Sequence, residues 1–111
     1  MTAAVIDQAV LQALRDATGP DFVRELAGTF LEEAPLMLGD LRESLAAKDA
    51  ERFRRAAHSL KSNALTFGAT AMATQAKALE LGGLPADAAP VDALDMEFAR
   101  VAAALGSLPD A

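Results

Sequence analysis

The chain has 111 residues, no cysteine and a net charge of −6. That length supports one hydrophobic core without metal or disulfide staples, and the missing cysteines exclude a disulfide framework, a thiolate metal site and a cysteine nucleophile. The acidity argues against a nucleic-acid ligand unless a basic patch is segregated on the surface. Alanine and leucine dominate, β-branched and aromatic residues are few, and tyrosine and tryptophan are absent, so an all-α domain is expected.

The first ten residues lack a basic segment followed by an apolar one, and no apolar run approaches the length of a membrane span. The expected protein is a soluble, cytoplasmic, monomeric single domain over residues 1–111, with no membrane and no nucleic-acid partner, and Met1 fits a free-standing chain.

Asp7 precedes Val10, Leu11 and Leu14 and reads as the N-cap of a short first helix ending near Ala17. Thr18-Gly19-Pro20-Asp21 stops that helix and starts the next, with Pro20 suited to a first helical turn. Phe22, Val23, Leu26, Phe30, Leu31, Met37, Leu38, Leu41 and Leu45 recur at spacings of three and four, which predicts a long second helix to about Ala47. Pro35 falls inside it, so a kink or break is expected between Leu31 and Pro35.

Lys48-Asp49 makes a tight connection, and Asp49 caps a third helix from Ala50 to Phe67 with Phe53, Ala57, Leu60, Ala64 and Phe67 as its buried stripe. Gly68 ends it, because glycine adopts the left-handed conformation at little cost. A fourth helix, Thr70 to Leu81, buries Met72, Ala76 and Leu79. A fifth begins at Pro90 or Val91 and turns Val91, Leu94, Phe98, Val101 and Leu105 to one face. Met37, Met72 and Met96 are read as core, and the tail from Gly106 as frayed. Four amphipathic helices with short links imply an antiparallel up-and-down four-helix bundle, with the short N-terminal helix over one end.

Between Lys48 and Lys61 five basic residues face two acidic ones, a local excess in an acidic chain. This segment holds the only histidine. On a wheel of the third helix with Phe53 at zero, His58 lies near 140°, Lys61 near 80°, Arg54 near 100°, Leu65 near 120° and Ser62 near 180°, with the apolar stripe within about 40° of zero. His58 is therefore off the core and exposed, as is Lys61, which sits one turn away and reaches whatever is bonded to the imidazole. Arg54 adds positive potential, and Ser62 leaves room for a partner.

A neutral imidazole is a competent nucleophile, and a nearby ammonium stabilises a phosphoryl group bound to it. The ingredients fit a phosphoryl acceptor. If the third and fourth helices form a hairpin about Gly68, the residue level with His58 lies about ten to twelve positions after the turn. That range, Ala78 to Glu80, nominates Glu80 as the acceptor that fixes the imidazole tautomer, with Gln75 a weaker candidate. Gly68 is about 15 Å along the axis from His58 at 1.5 Å per residue, so it shapes the turn and does not touch the phosphate.

His58-Ser59-Leu60-Lys61-Ser62-Asn63, followed by Gly68-Ala69, resembles the signature of histidine phosphotransfer (HPt) domains. The resemblance extends to the Asp-capped first helix, Phe30-Leu31-Glu32-Glu33-Ala34-Pro35 in the second, the Asp opening the third, and Leu79-Glu80. It implies a four-helix bundle whose exposed histidine relays a phosphoryl group between aspartates of response-regulator receiver domains, fed by a hybrid sensor histidine kinase. Carried over, His58 is the phosphorylated residue, Lys61 the phosphate partner and Glu80 the residue near the imidazole. Ser62 stands where many members have glycine, which loosens the steric argument for close approach. The Mg²⁺ that organises transfer is expected on the receiver, with no cofactor on this chain.

An isolated surface histidine usually has no role, and Lys61 matters only beside it. Arg54 and Arg55 either pair with acids or steer an acidic receiver, and Leu65 is either a scattered apolar residue or an interface contact. A kinase is excluded by the lack of a glycine-rich phosphate loop and of room for a catalytic domain, and a metal site by the lack of a second histidine. Two alternatives stand beside phosphotransfer: a bundle that binds receivers or kinases without carrying phosphate, and the phosphoacceptor module of a chemotaxis-type kinase.

Overall fold

The computed structural model describes residues 5–106, and these form five helices: α1 (Gln8–Thr18), α2 (Pro20–Ala47), α3 (Ala50–Thr66), α4 (Thr70–Gly82) and α5 (Ala89–Gly106). The tail after Gly106 lies outside the described residues. Helices α2 to α5 are the bundle, and α1 packs on α2 and α3. At 1.5 Å per residue the 28 residues of α2 run nearly the full 44 Å length of the molecule.

The starts of α1 and α3 follow from their caps. Asp7 accepts from the Ala9 amide at 3.0 Å and Asp49 from the Arg52 amide at 3.1 Å, each satisfying a donor the helix leaves open. The two corners flanking α3 share one hydrogen-bond pattern. At the first, Lys48 N–H reaches Leu45 O and Asp49 N–H reaches Ser44 O; at the second, Gly68 N–H reaches Leu65 O and Ala69 N–H reaches Ala64 O. Both are Schellman closures, with Lys48 at φ 57° and Gly68 at φ 73°.

Gly68 has a second reason to be glycine. A Cβ there would lie 2.9 Å from the Asp7 carbonyl oxygen and 2.9 Å from the Val10 Cβ, and the Asp7 amide donates to Gly68 O at 2.8 Å. The α3–α4 corner is thus the seat of α1.

The core holds Phe53, Ala57, Leu60 and Ala64 of α3, Met72, Ala76 and Leu79 of α4, and Val91, Leu94 and Val101 of α5. Phe30 of α2 stacks obliquely on Phe67 at 5.4 Å and meets Phe98 of α5 edge-on at 5.6 Å, tying three elements together. The small residues predicted to pack closely do so: Ala34, Ala57, Ala64, Ala69 and Ala76 are fully enclosed.

Three expectations are corrected. α2 is unbroken through Pro35: burial of Phe30 and Ala34 before it and Leu38 and Leu41 after it offsets the roughly 3 kcal/mol a helical proline costs. Phe22 is 46% exposed, because Val23 and Ala27 carry the buried stripe and Phe22 lies about 100° off it. Met96 is 67% exposed rather than core, since it sits about 200° from Leu94 on the α5 wheel. Met72 is buried and Met37 half-buried against the core.

Candidate functional site

α3 and α4 make the most extensive helix pair in the molecule, and their antiparallel run from Gly68 brings His58 and Glu80 level. His58 Nδ1 is 2.6 Å from Glu80 Oε2, so the hairpin arithmetic selected the right residue. The imidazole is 55% exposed and the Glu80 side chain only 10%. The carboxylate is the buried anchor and the ring the presented group.

Glu80 also holds Lys61, whose Nζ is 2.6 Å from Oε1. Oε1 is shielded from solvent without a well-aligned hydrogen bond, and the ammonium beside it compensates its charge. Lys61, then the bond to His58, holds the Glu80 carboxyl below its ordinary value against the opposing effect of desolvation. Glu80 is therefore ionised at neutral pH, and an ionised carboxylate only accepts hydrogen bonds. The Nδ1 facing it carries the hydrogen, which leaves the lone pair on Nε2.

The remaining predicted residues separate. Lys61 is half-buried, its side chain 23% exposed, and not the free surface charge expected, because Glu80 draws it toward α4. Arg54 donates to Glu51 at 2.6 and 3.2 Å, so its charge is largely answered within α3. Arg55 is exposed and makes no ion pair among the described residues. Ser62 is exposed beside it, and Leu65 is 53% exposed. Gln75 does not serve the imidazole; its Oε1 is buried without a hydrogen-bond partner. Gly68 lies at the corner, as expected, with the added contact to α1. Among the described residues no three His, Asp or Glu side chains converge as metal ligands, and no helix is long and apolar enough to cross a membrane.

The sequence reading missed one neighbouring feature. Lys61 and Leu65 of α3 line an open groove with Thr70, Ala73, Thr74 and Lys77 of α4. The signal was available: positions 70, 73, 74 and 77 recur at three and four on one face of α4, as 61 and 65 do on α3.

A surface histidine oriented by a buried carboxylate on a helical bundle defines a class, and sequence comparison agrees. Residues 25–104 match the Hpt domain family, and the chain belongs to that family, the histidine phosphotransfer proteins of two-component phosphorelays. Among solved structures it is similar to histidine-containing phosphotransfer protein B (HptB) from Pseudomonas aeruginosa PAO1, with a TM-score of 0.86 and 28% identity over 95% of this chain and 94% of that one. The comparison with curated proteins found no match.

Proposed function

We propose that His58 carries the phosphoryl group, taking it from an aspartyl phosphate on one receiver domain and giving it to an aspartate on another, in a cytoplasmic relay headed by a hybrid sensor kinase. The supporting observation is the 2.6 Å contact from Nδ1 to a buried, ionised Glu80, with the opposite edge of the ring open to solvent. In the transfer, Nε2 attacks phosphorus, the N–P bond forms as the acyl-phosphate P–O bond breaks, and the aspartate leaves as carboxylate. The proton on Nδ1 stays in place, and Glu80 stabilises the positive charge the ring acquires.

Lys61 acts first as a positioning residue, holding the carboxylate that holds the ring. Its ammonium also lies on the flank where the phosphoryl oxygens arrive, which favours the phosphorylated state. The chain supplies the nucleophile and the partner supplies the metal-binding pocket, so no cofactor and no kinase activity are assigned to it.

The test is direct labelling. A phosphorylated receiver with Mg²⁺ should place acid-labile phosphate on the wild-type protein, and His58→Gln should take none. Equal labelling of the variant would overturn the assignment.

A further inference from the structure

We propose that the groove between α3 and α4 seats an acidic amphipathic helix of the partner receiver, which makes Leu65 and Lys77 determinants of partner affinity. The inference rests on the reading of His58 as phosphoacceptor and specifies where the donor protein lies when it reaches that residue.

The groove is about 350 Å³ and is lined by Lys61, Leu65, Thr70, Ala73, Thr74 and Lys77. It begins at Lys61, which shares the Glu80 carboxylate with His58, and runs toward the Gly68 corner. Any partner close enough for in-line transfer at Nε2 covers its mouth. Leu65, 53% exposed, supplies an apolar contact with Ala73 beside it. A small-molecule site encloses most of its ligand, whereas this groove is open along one side, the shape a helix face fills.

Charge selects the sign of the occupant. The lining contains two lysines and no carboxylate in a chain of net charge −6. Lys77 is exposed and makes no ion pair among the described residues, so its charge is available to a visitor. The opposite flank of α3 is different: the depression lined by Met37, Asp40, Arg52, Arg55, Ala56 and Ser59 has Arg52 already bonded to Asp40 at 2.6 Å and Glu43 at 2.7 Å. An acidic helix with an aliphatic side chain between its carboxylates therefore finds complementary charge on the α4 side.

The experiment compares two phosphodonors on the full chain. A phosphorylated receiver must dock; phosphoramidate transfers its phosphoryl group to imidazole with ammonia leaving and needs no docking. Lys77→Glu should raise the receiver concentration giving half-maximal transfer by about tenfold, and Leu65→Ala by about fivefold. Both should keep the wild-type maximal rate and the wild-type rate with phosphoramidate, and the Lys77→Glu effect should shrink in high salt.

Saturation curves matching wild type for both variants would overturn the proposal. So would an Arg55→Glu effect larger than either, which would place the partner on the α2 flank. A wild-type protein labelled by neither donor would sink the phosphoacceptor reading, and the docking inference with it, by a distinct result.

Discussion

The two flanks of α3 use the same ingredients in inverted proportion. Against α2, one cation is shared by two carboxylates: Arg52 bonds Asp40 and Glu43. Against α4, one carboxylate is shared by two nitrogen bases: Glu80 bonds His58 and Lys61. In the first arrangement the guanidinium is fully engaged, and its charge serves only to join helices. In the second, the carboxylate is used up by one edge of the imidazole and one ammonium, so the other edge of the ring stays free. The difference teaches that a clamp and a nucleophile can be built from similar ion pairs, and that stoichiometry decides which results.

That contrast breaks most sharply at Glu80. Glu80→Ala should lower the transfer rate about 10–100-fold, the range seen when an orienting partner is removed from a functional histidine. Glu80→Gln should lose less, because the amide oxygen still accepts from Nδ1. Nitrogen NMR of the ring, which reads the tautomer directly, separates this positioning role from a general loss of structure: the Nδ1–H form should dominate in wild type and in Glu80→Gln but not in Glu80→Ala.

Lys61→Ala comes next. With its cation gone, Glu80 still bonds His58, so transfer should slow by only about three- to tenfold, while the phosphorylated state hydrolyses faster. Circular dichroism should show the bundle intact.

Acid sharpens the comparison without mutation. Glu80's carboxyl is held below its ordinary value of 4.5 by Lys61 and His58, so the stability it contributes is complete above about pH 4.5 and is lost as pH falls through the lowered value. The Tm difference between wild type and Glu80→Gln should therefore be constant near neutrality and narrow below that pH.

The smallest effect is expected on the other flank. Arg52→Ala removes exposed ion pairs, which contribute little, so Tm should fall by a few degrees at most and phosphotransfer should stay within about twofold of wild type. A large loss of transfer would show that the α2 flank does more than join helices.

The division between what could and could not be read from sequence has a physical basis. The Asp7 and Asp49 caps, the Gly68 corner and the pairing of His58 with Glu80 depend on local spacing and on the constant rise of a helix, and both are written in the order of residues. The exposure of Phe22 and Met96 depends on where a neighbouring helix ends its cover. The continuity of α2 through Pro35 depends on burial summed on both sides of the proline. Lys61 was assigned to the correct flank, but its capture by Glu80 requires knowing how deep the carboxylate sits. Similarly, the answering of Arg54 by Glu51 is one of several pairings its position allows, and only the folded side chains select among them.

The bond from the Asp7 amide to the Gly68 carbonyl joins positions sixty-one residues apart in sequence, whereas the α3–α4 hairpin it rests on is a local structure. Contacts of short span form early and distant ones late, so the corner is in place before α1 arrives, and α1 can lift away without disturbing the pairing of His58 with Glu80. Deuterium uptake at the Asp7 amide then reports the undocking of α1 alone, on a shorter clock than amides near Leu60, whose exchange waits for the bundle to open as a whole.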